Sequence, residues 1–210
     1  MDGSGRHPES GEGSTSAHAS RADDPPRRTR RLTPSNALTA IRLMLVWPFC
    51  ASLLEGEDGL ALALFWAAVA TDLVDGRLAR ARGEDSAFGG LFDHATDALF
   101  ASAGLAALAR LGAAPVLLAP LVVGAFLQYA LDSRVLAGRA LRASWLGRWN
   151  GVLYFVPAGV FTGREGLGLA GPGDAAIRFV GWALIASTLV SMGDRAWATW
   201  RARARTRGGG

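Results

Sequence analysis

The chain has 210 residues, 50% of them hydrophobic, with 22 basic side chains against 18 acidic ones and a single Cys. One Cys excludes an intramolecular disulfide and leaves no thiolate set for a zinc module. Every basic residue is Arg, so the net charge of +4 rests on groups that stay ionised, and a mean hydropathy of +0.21 is high for a soluble chain.

Residues 1–31 are Ser, Gly, Pro, Asp and Arg with no aliphatic side chain larger than Ala after Met1. Such a stretch cannot bury enough apolar surface to offset its ordering entropy and reads as a disordered tail. It lacks the apolar run of a signal peptide and ends in the cluster Arg27, Arg28, Arg30 and Arg31. From Leu32 onward six apolar segments alternate with short polar ones, at 36–54, 59–82, 88–111, 114–135, 149–163 and 175–198. Most are apolar all round rather than striped, which suits lipid better than a half-solvated helix. Several Trp residues, among them Trp47, Trp145, Trp149 and Trp197, stand near segment ends as interfacial anchors do.

The Arg distribution tests this reading independently. With six crossings and the amino terminus inside, the inner loops and tail carry Arg80, Arg82, Arg134, Arg139, Arg142, Arg148, Arg201, Arg203, Arg205 and Arg207. The opposite loops carry the acidic run 55–58, Arg110 and Arg164. The positive-inside bias fits this orientation and not its inverse, and it accounts for the basic excess without nucleic acid. The expected fold is an all-α bundle of six transmembrane helices with both termini cytoplasmic. Its expected parts are a polar tail at 1–31, a membrane domain at 32–200 and a basic cytoplasmic tail at 201–210.

Within this apolar setting four carboxylates fall between 72 and 97. Asp72 and Asp75 are three apart, and Asp93 and Asp97 four apart, so each pair shares a face of its own helix. The polar, Gly-containing stretch 80–90 between them is a natural turn between antiparallel helices. Two facing helices then gather four acids near the cytoplasmic end. Unpaired, such a cluster repels itself. Oxygen ligands suit Mg²⁺ or Mn²⁺ rather than Zn²⁺, and two ions about 4 Å apart are the arrangement used for displacement at phosphorus. Gly76 and Ala79 lie on the face of Asp72 and leave room for a ligand. Arg80, one turn after Gly76, suits a phosphate. A relay of intramembrane acids in a transporter is the rival reading. His94, turned about 100° round the helix from Asp93, is expected to pack or to sit behind the ligands rather than to bind metal, and Cys50 is expected to be inert packing.

The run Asp72-x-x-Asp75-Gly76-x-x-Ala79-Arg80, eight residues, then Gly89-x-x-x-Asp93-x-x-x-Asp97 resembles in full the signature of the CDP-alcohol phosphotransferases. The stretch Pro34-Ser-Asn36-x-x-Thr39-x-x-Arg42 is also similar to that family's amino-terminal segment. The resemblance spans about 36–198 and loses no motif position. It implies transfer of a phosphatidyl group from CDP-diacylglycerol to a small polar alcohol, with release of CMP, at a bacterial cytoplasmic membrane. By the same resemblance Asp72, Asp75, Asp93 and Asp97 bind two Mg²⁺ or Mn²⁺ ions, and Asp97 is also the base. Ser35, Asn36, Ala37, Leu38, Gly76, Ala79, Arg80, Ser86 and Gly89 are the residues implied for the CDP-lipid, and a homodimer is implied too.

The acceptor is less defined by the residues. Arg134, Arg139, Arg142 and Arg148 stand where topology alone would put them, yet they also suit a phosphate-bearing acceptor such as glycerol 3-phosphate or an inositol phosphate. For that role Arg134, Arg139 and Arg148 are the candidates, with Arg148 best placed beside Ser144 and Asn150. The last Arg run fits contact with anionic lipid. Asp72→Asn or Asp93→Asn is expected to abolish CMP release by purified protein, and Asp58→Asn to leave it intact; wild-type turnover in either motif variant contradicts a metal role for the acids.

Overall fold

The computed structural model describes residues 34–82, 87–135 and 145–207. The described residues are helical with short links and contain no strand: α1 (Pro34–Glu55), α2 (Asp58–Arg82), α3 (Ala87–Arg110), α4 (Leu118–Val135), α5 (Trp145–Leu153), α6 (Val156–Gly166) and α7 (Asp174–Arg207). Five of the six expected apolar segments correspond to single helices. The fifth, expected as one helix over 149–163, is two. Pro157 stands near the first turn of α6, and without an N–H it cannot continue the ladder of α5, while its ring would collide with the preceding turn. The chain bridges the break with Tyr154 N–H donating to Asn150 O at 3.0 Å and Phe155 N–H to Val152 O at 3.2 Å. Hydropathy does not register a missing backbone donor. At the other end α7 runs through Arg207, so residues 201–207, expected as a tail, continue the last helix. The tail at 1–31 lies outside the described residues.

Helix α1 packs against α2 and α3, α4 joins α3 and α7, and the pair α5–α6 closes on α7 and α2. The centre is aromatic. Phe49 of α1 stacks on Phe100 of α3 with centroids 4.9 Å apart and planes 10° from parallel, and Phe65 of α2 tilts against both. Phe155, in the break between α5 and α6, stacks on the other side of Phe100 at 6.0 Å. Aromatic pairs of this geometry contribute about 0.5–1.5 kcal/mol each beyond their buried area. Glycines make the fit possible: a Cβ on Gly104 would stand 2.9 Å from Phe49 Cε1, and one on Gly159 2.9 Å from Phe65 Cζ. Small residues at helix contacts are how membrane bundles gain close approach.

The exterior is apolar. Met44, Trp47, Val116, Phe179 and Val190 are largely exposed. Two helices, Ala37–Glu55 and Asp174–Arg201, are long and apolar enough to cross a membrane, with only 28% and 33% of those windows buried. A helix in the core of a soluble protein would bury most of such a window. At the end of the bundle away from the acids, Arg164 donates to Asp174 Oδ1 at 2.7 Å and to the Pro172 carbonyl at 3.0 Å, and pairs with Glu165. This Arg of the expected outer side is thus neutralised locally.

Helix α6 approaches the start of α2 at Gly166, where a Cβ would meet Leu62 Cβ at 2.8 Å and the Asp58 carbonyl oxygen at 2.9 Å. Backbone cannot swing away as a side-chain tip can. Gly166→Ala is expected to destabilise the fold by about 1–3 kcal/mol, read as a lower melting temperature in detergent. Gly163→Ala, whose Cβ meets nothing within 4 Å, is expected to be neutral or to gain up to about 1 kcal/mol from helix propensity.

Candidate active site

Helix α1 brings a cation into the acid cluster. Arg42 lies eight residues after Pro34, one turn beyond the buried Thr39, on the side of α1 that faces α2 and α3. Its Nη2 meets Asp72 Oδ1 of α2 at 3.0 Å, its Nη1 meets Asp93 Oδ1 of α3 at 3.0 Å, and the same Nη1 donates to Asp97 Oδ1. The Arg42 side chain is 1% exposed, whereas those of Asp72, Asp93 and Asp97 are 46%, 31% and 28% exposed. The guanidinium is the floor of the site and the carboxylates are its open side. Asp97 and Phe100 are one turn apart on α3, so the stacked phenylalanines lie directly beneath this floor and fix where α1 and α3 meet.

Three of the four expected aspartates therefore converge across two helices. Asp75, Gly76, Ala79 and Arg80 lie on α2, Ser35 and Asn36 in the first turn of α1, and Arg134 near the end of α4, with side chains outside the described residues; Ser86 and Arg139 fall wholly outside them. Ala37 and Leu38 lie on α1 five and four residues before Arg42, and Gly89, half-buried, stands one turn before Asp93. His94, expected to pack or to sit behind the ligands, has Nδ1 4.0 Å from Asp93 Oδ2. Ligand atoms of Asp93, His94 and Asp97 all lie within 4.8 Å of one another. The 100° step between neighbouring residues separates their Cβ atoms, and a long side chain can reach back across it.

The site opens into a cavity of about 690 Å³ between α2, α3, α4, α5 and α7, within the size range of small-molecule sites. Arg42, Asp72 and Asp97 line it, and Arg148 and Arg195 line it too, with Asn150, Thr188 and Ser191. The Arg195 guanidinium lies 5.2 Å from the Tyr129 ring centroid, and His94 also neighbours that ring, at 5.8 Å. Cation–π contact of this kind holds a guanidinium in place while leaving its donors for a ligand. In the same lining, Thr188 Oγ1 donates to Leu184 O at 2.6 Å, so the Tyr154 hydroxyl, 2.7 Å away, is the donor of that pair. Ser187 Oγ donates to Asn150 Oδ1 at 2.7 Å. Asn150 Nδ2, by contrast, is buried with no hydrogen-bond partner among the described residues.

Arg42 and Arg195 carry the features that sequence reasoning did not assign. Arg42 had a legible signal, because a cation deep in an apolar helix needs a carboxylate partner. Arg195 had none, being one more Arg near the end of the last segment.

The sequence model of the CDP-alcohol phosphatidyltransferase family matches residues 32–199. The chain belongs to the CDP-alcohol phosphatidyltransferase family. As a CDP-alcohol phosphatidyltransferase it is a transferase of substituted phosphate groups, which decides against the transporter reading of its acids. The family is membrane-integral, acts on a CDP-alcohol and an alcohol acceptor, and uses a divalent metal. No curated protein sequence matches the chain significantly.

The donor set suits such a metal. Three carboxylates against one guanidinium leave two negative charges in excess among the described residues, and oxygen-rich sites of this charge favour hard divalent cations.

Proposed function

We propose that the chain moves a phosphatidyl group from CDP-diacylglycerol to a small polar alcohol that itself carries a phosphate, such as glycerol 3-phosphate or an inositol phosphate, and releases CMP. The observation that carries this reading is one cavity lined both by the acids with Arg42 and by Arg148 and Arg195. A diphosphate and a phosphorylated acceptor are both anionic: divalent ions on the acids suit the first, and guanidinium groups suit the second.

In this reading two Mg²⁺ or Mn²⁺ ions, held by Asp72, Asp75, Asp93 and Asp97, disperse the charge of the diphosphate when bound. Arg80, Ser86 and the residues Ser35 to Leu38 hold the cytidine diphosphate, and the small residues Gly76, Ala79 and Gly89 let it approach. Arg148 and Arg195 grip the acceptor phosphate in the forked manner that guanidinium allows, with Tyr129 keeping Arg195 in place; Arg134 and Arg139 also serve the acceptor in this reading. The acceptor hydroxyl oxygen attacks the lipid-side phosphorus, its proton passes to the Asp97 carboxylate, and the bond from that phosphorus to the CMP oxygen breaks. Asp97 need only be within hydrogen-bonding reach of that hydroxyl. The stabilisation is positional and electrostatic, as is general for such transfers.

The proposal extends to a multi-pass protein of a bacterial inner membrane, with the site on the cytoplasmic side and a homodimer as the working unit. The sparse burial of the two longest apolar helices and the apolar exterior support the membrane crossing, and the placement of Arg residues supports the orientation.

Purified protein with CDP-diacylglycerol and Mg²⁺ is expected to release CMP with glycerol 3-phosphate or inositol phosphate and not with inositol or serine. EDTA and Asp97→Asn should each abolish that release. CMP release with serine or inositol alone contradicts the phosphorylated acceptor. Loss of one charged hydrogen bond amounts to about 1.5–3 kcal/mol, so Arg148→Ala and Arg195→Ala are each expected to raise KM for the acceptor roughly tenfold or more. KM for CDP-diacylglycerol should stay within about twofold; an equal rise in both KM values contradicts an acceptor site.

A further inference from the structure

We infer that Arg42 is a positioning residue of the metal site, holding its carboxylates in their converged arrangement from beneath; this rests on the metal-dependent reading above. Three observations lead there. The guanidinium is the buried partner, at 1% exposure, and the three carboxylates are the exposed ones. All three contacts run to Oδ1, so each is made through one carboxylate oxygen. The contacts tie α1 to both α2 and α3, with Nη1 shared by Asp93 and Asp97 and Nη2 turned to Asp72.

The division of labour follows from this geometry. A planar fork spans two helices at once, which a point-like ammonium does not. One positive charge cannot neutralise three negative ones, so Arg42 lowers the repulsion without saturating the cluster. A stand-in cation would instead leave the acids whenever metal arrives; the burial of Arg42 between helices, with Thr39 and Phe49 buried on the same side of α1, favours the positioning role. Partners that orient metal ligands from behind typically influence affinity by 10–100-fold.

The two roles predict opposite signs, which a Mn²⁺ titration of the full chain in nanodiscs separates, read by electron paramagnetic resonance without CDP-lipid or acceptor. In Arg42→Gln, Mn²⁺ affinity is expected to fall about 10–100-fold, with activity partly restored at high Mn²⁺. Tighter or unchanged Mn²⁺ binding in that variant overturns the inference. If Arg42→Gln does not fold, Arg42→Lys decides: weaker Mn²⁺ binding at an unchanged melting temperature supports positioning, and wild-type affinity overturns it. A wild-type chain that binds no Mn²⁺ removes the metal reading itself, and this role with it, before any variant is compared.

Discussion

Three carboxylates from two helices converge on one guanidinium from a third, and the repulsion among the acids sets what the rest of the bundle must supply. Two unit charges about 5 Å apart repel by roughly 3 kcal/mol at an effective dielectric of 20. Bringing Asp72, Asp93 and Asp97 together is therefore unfavourable unless cations are built in or bound. Arg42 provides the built-in part through its contacts with all three. Because it comes from α1, the cluster forms only when α1 is seated against both α2 and α3. Folding of the core and assembly of the site are thus one event rather than two.

The seat is provided by the aromatic stack beneath. Phe49 against Phe100 and Phe65 sets the register of α1, α2 and α3, and Gly104 and Gly159 admit the rings at distances a Cβ would forbid. Phe155 reaches the same stack from the break between α5 and α6. That break, forced by Pro157, therefore links the acid-bearing helices to α5, which carries Arg148 and Asn150. The geometry of the cavity depends on a single backbone position where the helix ladder could not continue.

Polar chemistry is concentrated at one end of an otherwise apolar body. Large side chains such as Trp47, Met44 and Phe179 face outward, which is costly in water and favourable against acyl chains. Inside, Thr162, Thr188 and Thr199 return their hydroxyls to carbonyls one turn back along their own helices, so no helix needs solvent to satisfy them. The cavity gathers this polar chemistry in one place, with acids and arginines among its lining residues.

What the sequence determined by itself is local. The spacings between Asp72 and Asp75 and between Asp93 and Asp97 set which acids share a helix face, because helical periodicity is a property of a few consecutive residues. The short polar link put the two pairs on consecutive helices, each of which packs on α1, and the motif across them placed the chain in its family before any fold was drawn. The Arg asymmetry likewise needed only position along the chain. Tertiary structure alone decided that Arg42 lies beneath the acids and that Arg195, ninety-eight residues beyond Asp97, lines the same cavity. These depend on how helices distant in sequence pack, and packing is settled by ring stacks, glycine contacts and one proline break, none of which leaves a periodic trace in the order of residues.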